Sequence, residues 1–171
     1  WRLLNRISIH GIHRIKGDVL IDNSYFEPGQ IDYAAFDQQP YRTYNVGPNA
    51  VLVGFQATEF HFDIDDTGTE QAVKITPFPE SPRLQIINQV KLVNGRCNAW
   101  QKKLSLETRN NAGMLEVTFT GNYARACNKR TLYRRVSETR DHYQHFFLPL
   151  WSQLGGSVDG KIAQGIALGT M

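Results

Sequence analysis

Apolar residues recur at Leu3, Leu4, Ile7, Ile9, Ile12 and Ile15, three or four positions apart for the most part, so the pattern predicts an early helix that Gly11 breaks. Val19-Leu20-Ile21 is too short for a helix. Gly17-Asp18 precedes it and Asp22-Asn23-Ser24 follows, so it reads as a buried strand with an acidic residue at each end and a turn after it. Residues 27–49 form a long connector carrying Pro28, Gly29, Pro40, Gly47 and Pro48, with Tyr33, Phe36, Tyr41 and Tyr44 inside it. A connector of that length is either functional or held down by its aromatics.

From Ala50 the texture turns to strands. Val51-Leu52-Val53 is a compact apolar run. Phe60, Phe62 and Ile64 alternate with His61, Asp63 and Asp65, the period of a half-exposed strand, and Asp66-Thr67-Gly68 turns the chain. Val73 and Ile75 begin another strand, which Pro77, Pro79 and Pro82 end. Leu84 to Val93 is a further strand that stops at Asn94-Gly95, a hairpin-type turn. Leu104, Leu106 and Thr108, then Leu115, Val117 and Phe119, alternate with polar residues around the hairpin loop Arg109-Asn110-Asn111-Ala112-Gly113. Helical spacing returns at Tyr143, Phe146, Phe147, Leu150, Trp151 and Leu154. Ser137 or Thr139 would cap that helix, Pro149 would kink or restart it, and Gly155-Gly156 would end it. Val158 and Ile162 suggest a last strand interrupted by Asp159-Gly160.

The order of elements predicts an α+β fold. Residues 1–55 and 137–171 form a small α/β domain, interrupted by an inserted antiparallel β-rich subdomain at 56–136. The chain has 171 residues, 41% hydrophobic and 20% charged, enough to bury a core without metals or many disulfides. Its net charge of +3 is too small to argue for nucleic acid. No apolar stretch approaches the length of a membrane span. Trp1 and Met171 read as cut points, so the expectation is a piece excised from a longer protein.

Few constellations carry chemistry. His61, Asp63 and Asp65 share one strand face with Asp66 and Glu70 nearby, but a calcium loop starting at Asp63 places Lys74 where a Glu is required, so a solvated face is the better reading. His10 and His13, and His142 and His145, have metal-ligand spacing without a third ligand. Arg125, Lys129, Arg130, Arg134, Arg135 and Arg140 form a basic stretch. Only Tyr123 and Tyr133 interleave with it, so a solvated face is again preferred over a nucleic-acid surface. None of Ser8, Ser24, Ser81, Ser105, Ser137, Ser152 and Ser157 has Lys three residues on or Asn two residues on. No Lys precedes Thr-Gly or Ser-Gly, and GxSxG is absent. No residue is a catalytic candidate, and no metal or cofactor is expected. Cys97 and Cys127 are either two buried thiols or one disulfide, worth roughly 3–4 kcal/mol in the chain-entropy model.

Gly17-Asp18-Val19-Leu20-Ile21-Asp22-Asn23-Ser24-Tyr25-Phe26 resembles a segment of the DacB-type D-alanyl-D-alanine carboxypeptidases. These are class C low-molecular-mass penicillin-binding proteins that also act as DD-endopeptidases. Gly11-Ile12-His13-Arg14-Ile15 resembles the lead-in to that strand. Tyr44-Asn45-Val46-Gly47-Pro48-Asn49-Ala50 resembles the family's connector, and Leu154-Gly155-Gly156-Ser157-Val158-Asp159-Gly160 its helix-to-strand return. Family members carry a long insertion between their SxxK and SxN motifs, and this chain resembles that insertion. The resemblance implies a parent serine-type hydrolase of peptidoglycan whose SxxK serine is acylated, a role that no residue here can take. It also implies a periplasmic or exported protein, and with it a Cys97–Cys127 disulfide. The non-catalytic insertion would orient the enzyme on the wall, shape access to its site, or hold a partner. The competing expectation is a free-standing β-rich binding module, using the Phe60–Val136 strands and the basic stretch.

Overall fold

A computed structural model describes residues 1–26, 29–68, 71–111 and 113–167. The chain divides into two compact units. One comprises Trp1–Pro40, Tyr44–Gln56 and Ser137–Met171, and the other Tyr41–Thr43 and Ala57–Val136.

In the first unit, α1 spans Arg2–Ile9, and Gly11 takes up a positive φ of 81° just beyond it. β1 (Arg14–Ile15), β2 (Val19–Ile21), α2 (Thr139–Gln153), β9 (Ser157–Val158) and β10 (Ile162–Gln164) complete its regular elements. The strands form two parallel pairs, β1 with β9 and β2 with β10, so segments more than a hundred residues apart in sequence lie side by side. The expected last strand is thus two strands, split where Asp159-Gly160 passes from one pair to the other. Of β2 only Ile21 is buried, against Tyr143 and Ile162, while Leu20 is exposed. A two-stranded sheet covers one side, and alternation sends Leu20 to the other. α2 runs unbroken through Pro149. Its N-cap position is Glu138 rather than Ser137 or Thr139. At its far end the Trp151 ring is buried and donates Nε1–H to the Ser157 carbonyl at 3.1 Å. A Cβ on Gly156 would lie 2.2 Å from that ring, so only glycine fits there. Val51-Leu52-Val53 forms a turn and loop with all three side chains exposed. With no strand to pair with, the apolar run does not become one.

The second unit packs two three-stranded sheets on each other. β3 (Ala57–Asp65) lies between β4 (Ala72–Phe78) and β8 (Arg130–Arg135), antiparallel to both. The first and last strand ends meet, with Ala57 opposite Arg135. β4 continues through Pro77, which an edge strand tolerates because its missing N–H breaks no central ladder. In the second sheet β7 (Met114–Ala124) lies between β5 (Leu84–Val93) and β6 (Leu104–Asn111). β6 and β7 form the expected hairpin. β5, however, pairs with β7 in parallel, so Asn94-Gly95 is not a hairpin turn and the sheet is mixed. The chain after Val93 instead crosses the end of β7, where a disulfide joins Cys97 to Cys127, and reaches β6 through a 3-10 turn at Trp100–Lys103.

The core between the sheets is aromatic. Phe62 stacks on Tyr123 at 5.5 Å and meets Phe119 and Trp100 edge-on at 5.3 and 5.5 Å, while Phe60 meets Phe119 at 4.9 Å. Such pairs contribute about 0.5–1.5 kcal/mol each beyond area burial. Tyr123 is fully buried and donates its hydroxyl to the Asn128 carbonyl at 2.9 Å. Burial pushes its phenol up to about 12. β5 departs from the apolar alternation at Asn88, whose Nδ2 donates to the Val73 carbonyl at 2.6 Å and ties the two sheets together. Because the disulfide closes a separation of 30 residues, C97A/C127A should lower stability by about 3–4 kcal/mol in urea unfolding.

Candidate functional site

The two acidic residues that flank β2 are structural anchors. Asp18 Oδ1 accepts the Lys161 backbone N–H at 2.9 Å, and Asp22 Oδ2 accepts that of Ala167 at 2.8 Å, so both ends of β2 grip the segment that carries β10. Asp22 Oδ1 also accepts the Ser24 N–H at 2.9 Å. Hydrogen bonds from the Ser24 side chain and backbone, followed by that from Ala167, hold its carboxyl below the usual aspartate range. Gly160 packs against the Gly17 backbone and Asp18, with a Cβ there 2.4 Å from Asp18 Oδ1. One strand pair further back, Arg14 Nε lies 3.2 and 3.1 Å from the two carboxylate oxygens of Asp159.

These anchors shape a crevice outside the carboxyl ends of β2 and β10, the position where parallel strands commonly present a ligand site. Asn23, Phe26, Pro48, Asn49, Gln164 and Ile166 are among its walls. Asn23 Oδ1 is buried without a hydrogen-bond donor. The described lining offers amides, apolar surface and one hydroxyl, that of Ser24, which bonds the Asp22 carboxylate beside it; among the described residues no lysine or histidine lines the crevice. In sequence Asn23 and Ser24 form a turn within the Gly17–Phe26 segment and Asn49 belongs to the Tyr44–Ala50 connector, but nothing joins them to Gln164, because the crevice exists only once β10 lies beside β2.

The other candidates do not converge. His61 Nε2 lies 3.3 Å from Glu59 Oε1, Asp63 pairs with Lys129 at 3.2 Å, and Asp65 binds the Thr67 hydroxyl at 2.6 Å and its N–H at 3.0 Å. That bonding, the Thr67 hydroxyl foremost, holds the Asp65 carboxyl low. Glu70 lies outside the described residues. Among the described residues no three His, Cys, Asp or Glu side chains gather for a metal. His10 and His13 are exposed at the end of α1 and just beyond it. The basic stretch is divided. Arg125 bonds Gln71, Lys129 is paired, Arg135 is buried, Arg130 and Arg134 reach backbone carbonyls, and the side chain of Arg140 is outside the described part.

His142 is the exception to this well-partnered chemistry. Its ring is 1% exposed, lies tilted by 34° against Phe146 with centroids 4.3 Å apart, and has no hydrogen bond of good geometry at either nitrogen. The Val53 backbone favours the charged form and His145 opposes it. Burial dominates and lowers the imidazole to about 4.

A sequence profile of the D-Ala-D-Ala carboxypeptidase 3 (S13) family matches residues 2–168. The chain belongs to that family, in agreement with the resemblance carried by Gly17–Phe26 and the Leu154–Gly160 return. Among solved structures, penicillin binding protein 4 (dacB) from Haemophilus influenzae matches with a TM-score of 0.63 at 20% identity, over 97% of this chain and 35% of that one. The same protein complexed with a novel beta-lactam matches at 0.51 and 17%, over 97% and 33%. At these identities the likeness is one of fold. The chain spans about a third of the length of the structures it matches. No curated protein sequence matches it. Among the described residues no helix is long and apolar enough to cross a membrane.

Two outcomes test this geometry. D18A should speed hydrogen exchange of the Lys161 amide by about tenfold, the loss of one charge-assisted bond, and leave β7 amides unchanged. For His142 the folded value of about 4 lies below the unfolded value near 6.5, so its contribution is complete above pH 6.5 and declines as pH falls toward 4. Urea unfolding should register a loss of about 3 kcal/mol across that window, and H142F should remove that part of the slope.

Proposed function

We propose that this chain is the non-catalytic insertion of a serine-type D-Ala-D-Ala carboxypeptidase or DD-endopeptidase that remodels peptidoglycan outside the cytoplasm. The observation that carries the reading is the family match over residues 2–168 in a sequence without SxxK, SxN or Lys-Thr-Gly. The chain supplies the family's architecture while the acylated serine belongs elsewhere in the parent. Within that enzyme the 57–136 unit is an inserted subdomain. The crevice at the ends of β2 and β10 supports a role in shaping access, since its amides suit the backbone of a peptide stem and its Ser24 stands outside any SxxK or SxN motif. The disulfide agrees with an oxidising compartment.

Incubation of the chain with a fluorescent β-lactam, followed by denaturing electrophoresis and intact-mass measurement, should give no covalent adduct. A stoichiometric adduct on any serine would overturn the proposal.

A further inference from the structure

The outer face of the β4-β3-β8 sheet is ordered in three rungs. Register places Phe78 and Tyr133 on either side of Glu59, and Thr76 and Thr131 on either side of His61. In the third rung Asp63 stands opposite Lys74 and is ion-paired with Lys129 at 3.2 Å. The alternate positions, Phe60, Phe62, Val73 and Leu132, are buried in the core, so the rung residues face away from it. Phe78 and Tyr133 are 52% and 51% exposed, two large rings left in solvent across a single carboxylate.

Strand spacing separates the positions of the two rings by roughly 9–10 Å, and the aromatic rung lies about 13 Å from the lysine rung. The polar groups between the rings hold one another in place. His61 Nε2 is 3.3 Å from Glu59 Oε1, and His61 Nδ1 is 3.5 Å from Thr131 Oγ1. The charge of Glu59 raises the Tyr133 phenol, and a hydrogen bond between the two side chains adds to it, so the carboxylate is held from both sides by His61 and Tyr133. Flat apolar rings beside a fixed acceptor match a pyranose, which has an apolar C–H face and a rim of hydroxyl and amide donors.

We propose that this face binds a chain of N-acylated amino sugars, with two pyranose rings lying on Phe78 and Tyr133 and their donors directed to Glu59. Other polymers fit it less well. Glu59, Asp63 and Asp65 outnumber the cations of the face, Lys74 opposite Asp63 and Lys129 paired with it, so the face repels phosphate. A protein partner would need a continuous apolar core to its interface, whereas the rung beside the aromatics consists of hydroxyls and imidazole. The identity of the sugar rests on the cell-wall reading above; the saccharide chemistry of the face does not.

The test is a titration of the ¹⁵N-labelled chain with chitotetraose, followed by NMR. Amide shifts should concentrate at Glu59, His61, Phe78 and Tyr133 and spare the β5-β7-β6 sheet. F78A/Y133A should bind at least about tenfold more weakly. E59Q, which keeps both rings and cannot disturb the core, should also weaken binding. No shift at the rungs, or binding undiminished in both variants, overturns the proposal. The β-lactam experiment reads the family role separately: a chain that is neither acylated nor shifted by sugar keeps that role and loses this surface.

Discussion

The first unit depends on two carboxylates bonding to backbone amides that lie far along the chain. Asp18 accepts from Lys161 and Asp22 from Ala167, across separations of 143 and 145 residues. Between these anchors, β2 and β10 share only three register pairs. Two-stranded pairs this short are marginal by themselves. A charged acceptor at each end supplies stronger bonds than a neutral ladder does, and Ile21, Ile162 and Tyr143 close the apolar side. Gly17 and Gly160 belong to the same arrangement, because their backbones approach too closely for a side chain at Gly160. The acidic ends of the Gly17–Phe26 segment are therefore explained by topology: they tie the start of the chain to its return.

The second unit solves a different problem. Its two sheets bury one face each, and the central strand β7 supplies Leu115, Val117, Phe119 and Tyr123 to the shared core. Gly121 interrupts that alternation with φ of 106°, and its bare Cα admits the Lys103 carbonyl, to which a Cβ would come within 2.1 Å. The strand can then end on Tyr123 and Ala124, beside the disulfide that fixes the crossing from β5 to β6.

Sequence periodicity located the strands whose partners are local or whose pattern is strict. β3 follows from the Phe60-Phe62-Ile64 alternation, the limits of Leu84–Val93 agree residue for residue, and β6 and β7 form the expected hairpin, although Arg109–Asn111 of its expected loop are paired residues of β6. α2 was legible from its apolar spacing even across Pro149, because the helix loses one N–H there and packing of Tyr143, Phe147 and Trp151 holds it. What failed was non-local. The β5-β7 parallel pairing leaves no local signature, so Asn94-Gly95 looked like a hairpin. β1 and β9, two residues each, exist only because they find each other. The crevice walls Asn49 and Gln164 were illegible for the same reason, whereas the Asp-Asn-Ser turn that forms the rest was plain. The burial of His142 is equally illegible, because sequence carries its spacing from His145 and not its surroundings.

The pairing of Ala57 with Arg135 has a further meaning. The chain enters and leaves the 57–136 unit at neighbouring positions on adjacent strands, roughly 5 Å apart. Whatever happens between those two points, the host receives its chain back at the same place. Provided that the Arg135 N–H keeps its bond to the carbonyl of Tyr41, which belongs to the same unit, the strands between those points can grow or shrink without moving the two ends, and selection is free to change what this part of the protein touches while leaving its attachment untouched.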